Sequence, residues 1–190
     1  MKAIIPLLLI LFFLASCKKE EKTLPVLTPA ALASVKTDTI PDKAILKLKL
    51  AKDSTNSDEA MFVFKHSSRL NYFDSEDAMY FPGFGQVSLA SSSSDGKNLS
   101  VNGLPYTSGM SIGLDVNVKT SGMYLLKISY DRGIPADVEI WIKDTYLRDS
   151  VNACTGNYNF NIDKADTNSF GGKRFKLILK NAGQKTAMGH

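Results

Sequence analysis

Short alternations of apolar and polar residues recur about nine times along this 190-residue chain, and they constrain its fold more than any other feature. Leu46, Leu48 and Leu50, for example, alternate with Lys47 and Lys49. A period of two places every second side chain on the same face of a β-strand, whereas no stretch of ten or more residues keeps the 3.6-residue period of a helix. The pattern predicts an all-β fold, with strands near residues 44–51, 60–64, 87–89, 99–101, 112–118, 124–130, 138–142, 158–162 and 175–179.

Turn-forming pairs separate these alternations, for example Asp95-Gly96, Ser121-Gly122 and Arg132-Gly133. One polar face per strand is typical of antiparallel sheets with a single buried side. About nine short strands within residues 44–180 therefore predict an antiparallel two-sheet β-sandwich of the jelly-roll kind. A domain of this size buries about two-thirds of the surface of its unfolded chain, so it needs no disulfide.

Residues 1–16 have the features of an export signal, with Lys2 ahead of an apolar run from Ala3 to Leu14. This run is shorter than the roughly 20 residues that cross a hydrocarbon core, and the alternative is a buried core helix. The tetrapeptide Leu14-Ala15-Ser16-Cys17 resembles the lipobox of bacterial lipoproteins. The resemblance implies that Cys17 is the first mature residue and that it carries acyl chains, which would hold the protein on a membrane.

These features divide the chain into four segments. We expect a signal peptide at 1–16, a lipidated N-terminus and extended tether at 17–43, a β-sandwich domain at 44–180, and a flexible tail at 181–190. If Cys17 is acylated, Cys154 is the one free thiol of the mature protein. A catalytic Cys154–His66 pair has no supporting motif, and a passive cysteine near a turn is the favoured interpretation.

Composition and charge narrow the classes of function. The 23 basic and 19 acidic residues give a net charge of +4, but no Lys/Arg run exceeds two residues, so we expect no nucleic-acid partner. No G-x-S-x-G, H-E-x-x-H or Walker-type sequence occurs, and we expect neither a cofactor nor a metal.

Residues 69–81 combine acids and aromatics without a regular period. Asp74, Glu76 and Asp77 are candidate calcium ligands, although they lack the D-x-D-x-D-G order of a calcium loop. The favoured interpretation is that Asp77 is buried and forms a structural ion pair with Arg174, because an unpaired buried carboxylate is costly.

The same region supplies a candidate ligand-binding set. Aromatic side chains here would form a sugar-stacking platform, or would instead pack into the core beneath a loop folded over the sheet edge, which is the interpretation we favour. The five residues are Tyr72, Phe73, Tyr80, Phe81 and Phe84.

Residues 58–180 resemble the β-sandwich module that precedes the type IX secretion signal in many surface proteins of the phylum Bacteroidota. The matching stretches are 58–60, 73–78, 99–105, 121–124, 141–147, 156–160 and 169–175. In that family a secretion signal follows the module, whereas here His190 lies about ten residues after the last expected strand, so we expect anchoring by Cys17 instead. The family has no agreed catalytic residues, which implies a protein that is not an enzyme.

Lysines and glutamates after Cys17 resemble the export tag of surface lipoproteins in the same phylum. Three short stretches, at 38–40, 53–55 and 149–151, resemble its O-glycosylation pattern. We therefore expect an outer-membrane lipoprotein, exposed at the cell surface, that acts as a non-catalytic binding or adhesion module, with a glycan or an envelope protein as its partner. The alternatives are a structural accessory subunit that binds a protein partner of the cell envelope, and a hydrolase with dispersed carboxylates.

Overall fold

A computed structural model describes residues 40–183, and about half of these residues lie in β-strands. The only helical element in this range is a single 3-10 turn at Thr167–Ser169, so the prediction of an all-β fold is confirmed. The eleven strands are β1 Ala44–Ala51, β2 Ser57–Phe64, β3 Ala78–Met79, β4 Val87–Ser92, β5 Asn98–Leu104, β6 Met110–Val118, β7 Gly122–Arg132, β8 Val138–Asp144, β9 Asp149–Asn152, β10 Tyr158–Ile162 and β11 Phe175–Asn181.

All nine alternating segments form strands, but the expected number of about nine is two too low. The additional strands are β3, which has only two residues, and β9, which has four. A two-residue strand is too short to show a period, and no residue of β9 is buried, so its sequence lacks the apolar alternation that marks the other strands.

The strands form one continuous hydrogen-bonded sheet in the order β10-β7-β1-β2-β5-β4-β6-β11-β8-β9, with β3 added on β5. Every pairing is antiparallel except β2 with β5, which run parallel with Met61 opposite Val101. The expectation of separate, wholly antiparallel sheets therefore differs from the structure. Alternation within a strand determines which side chains face the core, but it carries no information about the neighbouring strand.

The sheet curves until its two halves face each other across one core, which gives it a nearly barrel-like form. Phe160 of β10 and Phe175 of β11 meet with ring centroids 4.7 Å apart, although seven steps of the strand order separate these strands. The inward side chains of β1, which are Leu46, Leu48 and Leu50, are completely buried in this core. Their burial is the physical consequence of the alternation in the sequence.

The domain extends slightly beyond the expected limits of 44 and 180. Ile40 is only 2% exposed and belongs to the hydrophobic core, so the end of the expected tether is part of the domain. At the other end, Asn181 is the last residue of β11 and is buried. The expected signal peptide, Cys17, most of the tether and residues 184–190 of the tail lie outside the described residues. Within residues 40–183, no helix has the length and apolar character needed to cross a membrane.

Candidate functional site

Residues 69–86, which lie between β2 and β4 and include the short strand β3, are called the aromatic loop. Its base is held by Asp77, which accepts hydrogen bonds from the backbone N–H of Phe73 and of Gly103, both at 2.7 Å. Gly103 lies in β5, and a Cβ atom at this position would approach the Cβ of Glu76 to 3.2 Å. The absence of a side chain therefore lets the loop lie directly against the sheet.

Asp58 and Tyr80 form a second attachment of the aromatic loop. The Tyr80 hydroxyl donates to the Asp58 carboxylate at 2.8 Å, and the same carboxylate oxygen accepts the N–H of Leu89 at 2.9 Å. Partial burial, and secondarily the nearby Asp58 carboxylate, raise the pKa of Tyr80. The phenol therefore stays protonated and keeps donating, so this contact joins β2, the aromatic loop and β4.

The tip of the aromatic loop, residues 81–85, turns its phenyl rings into solvent. Phe81 is 83% exposed, and Phe84 is fully exposed. The tip is also held on its far side, because the Lys119 ammonium donates to the carbonyl of Phe84 at 2.9 Å and the Lys119 N–H donates to the carbonyl of Gln86 at 3.0 Å. Two exposed rings therefore sit on a loop that is attached at both ends.

The expectation that the aromatic side chains of this region fill the core is wrong. Tyr72, Phe73 and Tyr80 are half-buried, Phe81 and Phe84 are exposed, and none of the five belongs to the core. Residue type alone suggested burial, whereas the loop turns away from the sheet after Tyr80. The alternative, a sugar-stacking platform, stays a prediction.

The three candidate calcium ligands do not converge. Asp77 is engaged by backbone amides, Glu76 lies 3.6 Å from the ammonium of Lys65, and Asp74 is exposed to solvent. Within residues 40–183, no group of three or more His, Cys, Asp or Glu side chains could hold a metal ion.

Arg174 forms a buried ion pair as expected, but its partner is Asp144 and not Asp77. The guanidinium Nε donates to the two carboxylate oxygens of Asp144 at 3.2 and 3.0 Å, and Nη2 donates to one of them at 2.8 Å. Both side chains have no exposed surface. The remaining nitrogen, Nη1, donates to the carbonyls of Asn161 and Ser169, so every nitrogen of the buried guanidinium has a hydrogen-bond acceptor.

The Asp144 carboxylate also accepts several further hydrogen bonds. It accepts the hydroxyl of Tyr158 at 2.9 Å and the backbone N–H groups of Tyr146 at 2.9 Å and Leu147 at 3.1 Å. Burial, and secondarily the Asp144 charge, raise the pKa of Tyr158. The sequence carried a signal for this position, because the period of two that buries Val138, Ile140 and Ile142 in β8 places Asp144 next on the same face.

Cys154 and His66, the other residues with reactive side chains, have ordinary surroundings. Cys154 is an exposed free thiol in the turn after β9. The exposed imidazole of His66 lies with Nδ1 at 2.5 Å from a carboxylate oxygen of Asp42, which also accepts the His66 N–H at 2.8 Å. Both the backbone N–H and the imidazole of His66 therefore contact Asp42.

The chain was also compared with models of protein families, with curated proteins and with solved structures, and none of them matches it. The class to which the structure assigns the chain is consequently that of its fold, an all-β domain built on one curved mixed sheet.

Proposed function

We propose that this protein is a lipid-anchored, surface-exposed protein of the outer membrane that acts as a non-catalytic binding or adhesion module. The observation that carries the proposal is the exposure of Phe81 and Phe84 at the tip of the aromatic loop. Burying one phenyl ring is worth about 1.5–3 kcal/mol, so two rings held in water represent binding free energy that a partner can use. Exposed apolar groups on a fixed loop are typical of interaction sites.

The attachment of the aromatic loop supports the same proposal. Asp77 holds the base of the loop, Tyr80 joins it to Asp58, and Lys119 holds the carbonyl of Phe84. A loop that is ordered before binding loses less conformational entropy when a ligand arrives. In this proposal the curved sheet is a jelly-roll-like sandwich, with the half that contains β10, β7, β1, β2 and β5 facing the half that contains β4, β6, β11, β8 and β9.

The expected anchor is Cys17, which the lipobox resemblance makes the first mature residue. Several acyl chains on one cysteine hold a protein stably, whereas a single chain gives weak, reversible attachment. The domain would then be displayed on a tether from the membrane. Its ligand in this proposal is a glycan, because the apolar face of an aromatic ring packs against the C–H groups of a sugar ring.

A second candidate function is that of an accessory subunit that binds a protein of the cell envelope. The observation that favours it lies on the outer face of the sheet, where Ile45 is opposite Val63 and Met61 is opposite Val101. These four apolar side chains point away from the core and are half-buried. An apolar row on an outer sheet face is a surface on which a protein partner can pack.

The proposed function is tested by glycan-array binding of the intact protein in detergent. We expect binding of a neutral glycan by the natural protein, loss of that binding in the double variant Phe81→Ala/Phe84→Ala, and unchanged binding in Met123→Ala. Met123 is a matched control, because it is also a large apolar residue, 60% exposed, and it lies on β7. Equal binding by the natural protein and the double variant would overturn the role of the aromatic loop.

Co-purification from membranes distinguishes the two candidate functions. A stable protein partner that the double variant retains, and that Val63→Lys loses, would favour the accessory subunit.

A further inference from the structure

A cavity of about 660 Å³ opens between the turn that follows β8 and the segment that leads into β11. Residues 145, 146 and 148 form one wall, and residues 167, 168 and 170–174 form the other. This cavity is called the basic pocket, and the side chains that line it include those of Tyr146, Arg148, Thr167, Asn168, Phe170 and Lys173. It contains none of the residues of the aromatic loop.

Two cations line the basic pocket without a carboxylate partner. Arg148 and Lys173 are both exposed, and within residues 40–183 no acidic side chain forms a salt bridge with either. Arg174, which also reaches the pocket, is neutralised by Asp144. The two free cations are therefore available to an anionic group of a ligand.

The backbone at Arg148 is unusual. Its φ of 55° lies in the left-handed region, which glycine adopts freely and which is unfavourable for a residue with a Cβ atom. A long cationic side chain thus occupies a turn position that would suit glycine, and it lines the pocket. Strained positions of this kind concentrate at functional sites.

Aromatic and polar groups complete the basic pocket. The ring of Tyr146 is 43% exposed, and the Arg174 guanidinium supports it at 4.9 Å from the ring centroid. Phe170 is similarly supported by the ammonium of Lys164, at 3.7 Å from its centroid. Thr167 and Asn168 add a hydroxyl and an amide to the same lining. Ring faces, hydrogen-bonding groups and cations therefore surround one space.

The acidic residues near the basic pocket are already engaged and do not line it. Asp166 accepts the N–H of Asn168 at 2.9 Å, and its carboxylate raises the pKa of the nearby Tyr146 hydroxyl. Asp163 accepts the N–H of Ala165 at 2.9 Å, and Asp149 accepts the N–H of Ser150 at 2.7 Å. None of these three carboxylates lines the pocket, whose charged lining side chains are Arg148, Lys173 and Arg174.

We propose that the basic pocket binds a carboxylate-bearing sugar of an acidic glycan. Arg148 and Lys173 hold the carboxylate through charge-assisted hydrogen bonds, and the Tyr146 ring packs against the sugar. Thr167 and Asn168 hydrogen-bond the sugar hydroxyls. A small inorganic anion would contact the cations but not the aromatic ring faces. The presence of both kinds of group favours an acidic sugar over an inorganic anion. This site goes beyond the proposed function, because it is separate from the aromatic loop.

The test is calorimetric titration of the intact protein with a galacturonic acid trimer, a neutral galactose trimer and triglutamate. We expect binding of the acidic trimer and much weaker binding of the other two compounds. Arg148→Gly removes the cation at a φ that glycine accepts, so this variant should fold. Arg148→Gly and Lys173→Gln should each weaken binding of the acidic trimer by about tenfold or more. Lys176→Gln, which changes an exposed lysine of β11 outside the pocket, should bind as the natural protein does.

Four results would overturn the assignment. They are the absence of binding of the acidic trimer, equal binding of the acidic and neutral trimers, equal binding of triglutamate, and natural affinity in both pocket variants. The double variant Phe81→Ala/Phe84→Ala separates this proposal from the proposed function. This double variant should retain the affinity for the acidic trimer. If the double variant lost that affinity, the sugar would bind at the aromatic loop instead of the basic pocket.

Discussion

The Arg174 guanidinium and the Asp144 carboxylate lie 2.8 Å apart at their closest atoms, and neither side chain has any exposed surface. Arg174 immediately precedes β11 and Asp144 ends β8, so the pair joins neighbouring strands at one end of the sheet. The guanidinium is also within 5.0 Å of the ring centroids of Phe160 and Phe175. A charged pair therefore occupies a position that is otherwise aromatic core.

The first prediction concerns this ion pair. Removing one partner of a buried pair leaves an uncompensated charge and typically costs about 3–5 kcal/mol. Asp144→Asn and Arg174→Met should each lower the free energy of unfolding, measured by urea denaturation, by about this amount. The double variant should cost less than the sum of the single variants, because the second change removes the charge that the first left unpaired.

The matched control for the ion pair is Lys47 with Glu59, whose charged atoms are 4.0 Å apart and partly exposed. Variants of this pair should change the free energy of unfolding by about 0–1 kcal/mol. Additive losses of less than 1 kcal/mol at Asp144 and Arg174 would contradict the account of a buried, coupled pair.

The second prediction concerns Asp77 at the base of the aromatic loop. An asparagine side chain offers one carbonyl acceptor, so Asp77→Asn would leave the N–H of Phe73 or of Gly103 without its partner. Loss of such an acceptor costs about 1–3 kcal/mol, which urea denaturation would measure. Asp74→Asn is the control, since Asp74 is exposed and surface changes usually stay within about 0.5 kcal/mol. Equal stability of the two variants would show that Asp77 does not hold the loop.

The third prediction concerns the stability of the fold at acidic pH. Hydrogen bonds from Asn56 and Thr55 lower the pKa of Asp53, and hydrogen bonds likewise lower the pKa of Asp95 and Glu139. A carboxylate whose pKa is lower in the folded state stabilises the fold above the unfolded-state pKa, and this contribution disappears as the pH falls through the folded-state pKa. We therefore expect the free energy of unfolding to be nearly constant above about pH 5 and to decrease below about pH 4.

Asp53→Asn tests the origin of the acid dependence. The variant should be less stable than the natural protein near neutral pH, and its stability should decrease less between about pH 4 and pH 2. A pH profile parallel to that of the natural protein would show that Asp53 does not contribute to the acid dependence.

The fourth prediction concerns location. Because Leu14-Ala15-Ser16-Cys17 resembles a lipobox, Cys17→Ala should remove the acylation site and the anchor. In a bacterial host that processes lipoproteins, the variant should be absent from salt-washed outer membranes that contain the natural protein. Cys154→Ala is the control, and it should fractionate like the natural protein. Retention of Cys17→Ala in the washed outer membrane would contradict lipid anchoring.

The sequence by itself determined where the long strands lie and which of their residues enter the core. The direction of a side chain on a strand alternates with each residue, so local sequence is sufficient to place Leu46 or Leu114 inside. Asp95-Gly96 likewise marks the turn between β4 and β5, where Gly96 has a φ of 80°. The alternation does not explain the burial of Arg174, because this residue directly precedes the core-facing Phe175 and lies just before β11.

Only the tertiary structure decided which distant parts of the chain meet. Such long-range contacts determine that β2 pairs in parallel with β5 and that Arg174 pairs with Asp144 instead of Asp77. They also determine that Phe81 and Phe84 are exposed to solvent. The alternation of each strand is compatible with many neighbours, and many charged residues could balance one arginine. Selecting among them depends on how the whole sheet curves to bury its apolar face, which no local segment of the sequence specifies.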